Sequence, residues 1–299
     1  MASSEIARIK ERRISQKRLN EVYADSVNAY LIHYSCESFY SLPGQPPVGH
    51  STRVTSIAIR NLKSAQTKTW SIQKSAELLN QLTSLTSLAT SRQTTYNLAQ
   101  LSAILDPLER DMLDGYFQFL ASHAESTFIH WNMRDDNYGF SALEHRYRVL
   151  GGAPTILHDN RKLDLARELV TLYGRQYAPH TSPKGRKGRL MSIIELNGIA
   201  DKDALQGAEE ADAFVNGDFI KLHQSTLRKV DVLANIFDRA HQKSLVTKAG
   251  FIDKYGVHPV ALVELVKNSP IVAALTIFAT IGVTIINYER IFSYVKALF

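Results

Sequence analysis

Apolar residues follow two rhythms along this chain, one short and unbroken, the other spaced by threes and fours. Residues 27–36, VNAYLIHYSC, are almost continuously apolar and aromatic, which predicts a buried strand. A Pro- and Gly-rich loop follows, and then two β-like runs at 53–60 and 67–72, with Asn61 to Gln66 joining them as a hairpin. Residues 75–100, rich in Ser, Thr, Leu and Gln, read as partly helical. From Asp106 to His123, Leu108, Met112, Leu113, Tyr116, Phe117 and Leu120 recur at helical spacing. Residues 126–131 predict a short strand, and 137–150 a helix closed by Gly151-Gly152. Further helices are predicted at 164–173, 190–197, 206–214 and 219–242, the last turning Leu222, Leu227, Val230, Leu233, Ile236 and Phe237 to a core. Strand, hairpin, helix, strand, helix and late helix is an α/β order, in which sites gather at strand ends.

The C-terminal pattern is different. Asn268 to Tyr288 carries no charge and as a helix reaches about 30 Å, roughly one hydrocarbon core. It predicts a transmembrane helix over about 269–288, with Ile271, Leu275, Phe278, Ile281 and Ile285 facing lipid; the alternative is a helix buried in the soluble core. Thr276, Thr280 and Thr284 form a stripe of small hydroxyl residues, which predicts self-association into a homo-oligomer. Ile291, Phe292, Val295, Leu298 and Phe299 then line one side of a short helix suited to the membrane interface.

Composition adds bounds. The chain has 299 residues, 44% apolar and 21% charged, ordinary proportions for a globular protein. Its formal charge of +6 permits a nucleic-acid or anionic-lipid partner without demanding one. Cys36 is the sole cysteine, so no intramolecular disulfide forms and the main domain suits the cytoplasm. The first residues are polar and basic, without the apolar centre of a signal peptide. This gives a basic N-terminal helix (1–26), a central domain (27–245) and a membrane-associated C-terminal part (246–299). Arg146, and Arg186, Lys187 and Arg189 in a Gly- and Pro-rich loop, are either phosphate contacts or solvated surface. The ten histidines show no HExxH spacing.

Three groups of residues carry a resemblance. They are Ser35-Cys36-Glu37 at the end of the first strand, Trp131-Asn132-Met133-Arg134-Asp135-Asp136 at the end of the strand candidate over 126–131, and Asp231 in LRKVDVLANIFDRA. With the hairpin run Val54-Thr55-Ser56-Ile57-Ala58-Ile59, their order over about residues 27–242 resembles the DEDD-type 3′–5′ exonucleases. The resemblance implies an RNase H-like mixed sheet flanked by helices. It also implies that Glu37, Asp136 and Asp231 hold Mg²⁺ or Mn²⁺ for phosphodiester hydrolysis if the domain is active, and that Asn132 contacts nucleic acid. The departures imply a degenerate centre. Ser35 stands where the family has its first metal-binding Asp, Trp131 where it has His, and Thr226 and Leu227 where it has a general base.

The resulting expectation is a membrane-attached protein whose exonuclease-like domain binds nucleic acid or a nucleic-acid-bearing partner, in the manner of a bacterial defence or toxin-type effector. An active exonuclease with a membrane anchor is the alternative. Replacing Thr276, Thr280 and Thr284 together by Leu is expected to weaken self-association, read as loss of chemically cross-linked oligomers in membranes.

Overall fold

The structure, a computed structural model, describes residues 2–37, 52–91, 98–134 and 136–250. Residues 11–249 make one compact unit, and a second takes residues 1–10 and 250–299. The predicted lipid-facing Ile271, Leu275, Phe278, Ile281 and Ile285 and the stripe Thr276, Thr280 and Thr284 lie outside the described residues. Among the described residues, no helix is long and apolar enough to cross a membrane.

The first unit is an α/β fold built on a five-stranded mixed sheet. Its strands are β1 (Ala29–Cys36), β2 (Val54–Asn61), β3 (Thr67–Ser71), β4 (Thr127–His130) and β5 (Lys162–Asp164). Their spatial order is β3-β2-β1-β4-β5. The hairpin predicted around Asn61 to Gln66 joins β2 to β3. Strand β2 runs antiparallel to both neighbours, whereas β1, β4 and β5 are parallel.

Helices cover both faces, which is why the central strand reads as a continuous apolar run. On one face, Leu31 and Ile129 pack against helix α1 (Ala2–Ala24) through Leu19, and against α6 (Leu165–Tyr173), α7 (Arg189–Leu196) and α9 (Phe219–His241). On the other, Ile32, Tyr34 and Phe128 meet α4 (Leu98–Ser122) and α5 (Phe140–Val149). A third cluster beyond β3 joins α2 (Ile72–Leu78), α3 (Leu82–Ser91), α4 and α8 (Gly207–Asn216) to the start of α9.

Two elements differ from the sequence reading for physical reasons. Asp106-Pro107 resembles a helix start, because Pro suits the first helical position. Instead α4 begins at Leu98 and runs through Pro107, its first turns held by the burial of Leu101, Leu105 and Leu108. Strand β5 has three residues, too few to show alternation, and Asp164 then caps α6 by accepting from the Arg167 N–H. Within α4, Gly115 is required by a close approach: a Cβ there would lie 2.6 Å from the Trp70 indole of β3.

Inside this frame a chain of ions ties the sheet to α4 and α5. Glu109 is fully buried and accepts from Arg146 at 2.9 and 2.6 Å and from the Val54 N–H at 2.7 Å. Arg146 and Arg53 both reach Asp106, at 2.8 and 3.3 Å. Arg53, itself 2% exposed, also lies 3.6 Å from Glu37. Burial pushes the Glu109 carboxyl upward, and the Arg146 guanidinium is the strongest force against that push. Removing one partner of such a pair leaves an uncompensated buried charge. Arg146→Ala is therefore expected to lower unfolding stability by about 3–5 kcal/mol, measured by urea denaturation.

Candidate functional site

The C-terminal end of β1 is where the sequence places its first site residues. There Ser35 pairs across the ladder with Ser56 of β2, and the register shifts immediately after it, between Ser35 and Cys36. Helix α9 crosses this end and brings Thr226 to both serines, 2.8 Å from Ser35 Oγ and 2.6 Å from Ser56 Oγ. Ser35 also donates to Glu210 of α8 at 2.9 Å. The same Glu210 oxygen accepts from Ser225 at 3.0 Å and pairs with Lys229 at 2.7 Å. Ser35, Ser56, Ser225, Thr226 and Lys229 are all buried.

These residues do not fit a divalent metal. Three of the groups around Ser35 are neutral hydroxyls, and the nearby carboxylate is already matched by an ammonium. Mg²⁺ and Mn²⁺ need several anionic or carbonyl oxygens, and a fixed cation beside them repels a second. Among the described residues no group of three or more His, Cys, Asp and Glu is arranged to hold a metal.

The three acids named from the sequence do not meet in such a group. Glu37 is buried beside Arg53, to whose carbonyl its own N–H donates at 2.7 Å. Asp136 is exposed in the loop after β4. Asp231 points toward the other end of β2, where it pairs with Arg60 at 2.7 Å and lies 3.9 Å from Arg228. The α9 residue that faces Ser35 is Thr226, five positions earlier. Asp135 lies outside the described residues.

The basic residues also divide. Arg146 is buried in the ion chain described above and offers no surface to a phosphate. Arg186 is half-buried, pairs with Asp201 and donates to the Ala204 carbonyl at 2.7 Å. Arg189 stacks its guanidinium 5.6 Å from the Tyr177 ring. Lys187 is exposed, while its N–H donates to Gln206. Asn132 is exposed and has a left-handed backbone, φ 56°; its N–H donates to Asp164 and its side-chain oxygen accepts from Arg134.

That Asn132 turn borders an open feature the sequence reading missed, a polar cleft of about 830 Å³ between α1, α5 and α6. It lies at the C-terminal ends of β4 and β5, where His130 and Asp164 are register partners. Asp164 is 7% exposed and its Oδ2 sits 2.5 Å from Arg134 Nε. Arg18 of α1 donates to Glu168 at 3.1 Å and to the Lys162 carbonyl at 3.0 Å. Nothing in the spacing of Arg18, His130, Arg134 and Asp164 along the chain announces the cleft. The only local signal is a histidine and an aspartate that each end a strand.

Two buried histidines flank these regions. His33 shares its face of β1 with Ser35, and burial, aided by Lys229, holds its ring well below the usual histidine range. His130 is pushed down to about 4, chiefly by burial, with Arg134, Lys162 and Arg18 adding to the push and Asp164 opposing it.

The chain matches no protein-family model, no curated protein and no solved structure.

Both histidines are neutral when folded, whereas an unfolded chain binds protons on them below about pH 6.5. Their contribution is therefore fully present above that pH and is lost as pH falls through it toward the folded values. Each histidine adds up to about 1.4 kcal/mol of lost stability per pH unit in that window. The urea midpoint is expected to drop between pH 7.5 and 5, and to drop less in the His33→Gln/His130→Gln double variant.

Proposed function

We propose that residues 27–245 form an RNase H-like, exonuclease-type domain that binds nucleic acid, or a partner bearing it, without cutting it. The strand order β3-β2-β1-β4-β5 with only β2 reversed supports the fold assignment. So does α9, which crosses β1 and β2 where the exonuclease family carries its third motif. The observation that carries the loss of cutting is the cluster at the end of β1. Ser35, Ser56 and Thr226 present hydroxyls where the family presents carboxylates, and Lys229 supplies the positive charge beside them.

A hydroxyl–lysine cluster of this kind keeps the strand end and α9 joined while removing the demand for a metal. Such a fold outlives its catalysis, because packing depends on burial and satisfied hydrogen bonds rather than on a bound ion. With the charge-free segment over about 269–288 as a membrane span, the arrangement suits a bacterial defence or toxin-type effector. In that reading the domain in the cytoplasm recognises nucleic acid and the C-terminal part acts at the membrane.

The test uses the full chain in detergent with labelled single-stranded DNA and RNA and added Mn²⁺ or Mg²⁺. Wild type is compared with Asp136→Ala and Asp231→Ala. We expect retention of labelled strand with no stepwise 3′ shortening. Shortening that both variants abolish would overturn this reading and establish a metal-dependent exonuclease acting through Glu37, Asp136 and Asp231.

A further inference from the structure

The cleft at the ends of β4 and β5 presents hydrogen-bond donors that the protein's own acceptors do not take up. Its two deepest carboxylates are already engaged. Asp164 accepts from the Asn132 and Arg167 N–H groups at 3.3 Å each and pairs with Arg134. Glu168 accepts from Arg18 and, at 2.5 Å, from Ser15. The donors are less occupied. The Arg167 guanidinium is exposed and has no ion pair or hydrogen bond to a protein group among the described residues. Arg134 uses Nε and Nη2, and its Nη1 has no partner among the described residues.

His130 is the most telling group. It is 2% exposed, and its Nδ1 accepts from the Met133 N–H at 3.2 Å. The neutral ring therefore carries its proton on Nε2. Among the described residues that N–H has no protein partner, and the ring borders the cleft. That N–H is left to bond an acceptor in the cleft, whether water or a ligand.

The cleft also has an exposed apolar side chain. Ile14 of α1 is 57% exposed, the kind of side chain that a body docked in the cleft would cover. A volume of about 830 Å³ lies within the range of small-molecule sites.

We propose that this cleft binds a phosphate monoester attached to a flat or apolar body, the size of a nucleoside monophosphate. A phosphate monoester offers three terminal oxygens and a charge near −2, matching two arginines and a neutral histidine donor. Ile14 covers the body. Asp159 and Glu11 are exposed at the rim, where solvent screens them. The inference stands independently of the nucleic-acid reading, since a free nucleotide and the phosphorylated end of a strand present the same chemistry.

The full chain in detergent is titrated calorimetrically with adenosine 5′-monophosphate, inorganic phosphate and adenosine. The test variants are Arg167→Ala and His130→Gln. Saturable binding of the monophosphate, much weaker binding of adenosine, and a loss of about tenfold or more in Arg167→Ala is the expected result. The exposed Arg167 guanidinium has no hydrogen bond or ion pair among the described residues, so its variant remains informative even if His130→Gln fails to fold. No binding of the monophosphate at millimolar concentration, equal binding of adenosine, or unchanged affinity in Arg167→Ala overturns the proposal. Competition by a 5′-phosphorylated oligonucleotide, but not by its 5′-hydroxyl counterpart, identifies a strand end as the source. Competition by neither, with the monophosphate bound, identifies a free nucleotide.

Discussion

A carboxylate with no exposed surface has to be paired, and the position of several elements in this protein follows from the pairing of Glu109. Its two oxygens take the Arg146 fork and the Val54 N–H, so α5, α4 and the first residue of β2 are fixed to one point. Asp106 then joins Arg146 to Arg53, and Arg53 extends the chain to Glu37 past the end of β1. Hydrophobic contact is non-directional and would tolerate sliding of α4 over the sheet. Charge pairing with fixed fork geometry does not, because a small slip leaves a buried ion without its partner. The end of β1, where the candidate site sits, is thus held from the α4 face by ions and from the α9 face by hydroxyls.

On the α9 face the chemistry is of the opposite kind. Ser35, Ser56 and Thr226 exchange short neutral hydrogen bonds, and the one carboxylate there is neutralised by Lys229. A cluster with no net charge needs no counter-ion from solvent, so it can be closed over, and it is. His33 beside it feels the Lys229 charge and stays neutral. The consequence is a strand end whose geometry is that of a site but whose electrostatics favour no added cation.

Much of this frame was legible in the sequence. The buried run of β1, the hairpin between β2 and β3 and the helical spacing in α9 follow from apolar pattern and turn chemistry, and each places a site element. What was not legible depended on tertiary context. Asp231 and Thr226 lie on the same long helix, and only its crossing of the sheet decides that Thr226 meets Ser35 while Asp231 meets Arg60. Arg146, amid exposed-looking charges in HRYR, was indistinguishable from a surface arginine until Glu109 appeared opposite it. The three-residue β5 carried no pattern at all, yet its last residue both caps α6 and forms the floor of the cleft.

The two sites at this end of the sheet differ in a way that bears on which of them meets a ligand. Parallel strands direct ligands to their C-terminal ends, and β1, β4 and β5 all point the same way. At the end of β1 the hydroxyls, Glu210 and Lys229 satisfy one another, so a ligand would have to break existing bonds to enter there. At β4 and β5 the carboxylates are held by arginines, with Asp164 Oδ2 ion-paired but without a hydrogen bond among the described residues, and several donors are open. The N–H of His130, the guanidinium of Arg167 and one nitrogen of Arg134 have no partner among the described residues and are open to solvent or a ligand. An acidic ligand gains those bonds without breaking any of the cleft's own, so the physical argument for recognition is stronger there than at the strand end that the exonuclease resemblance singles out.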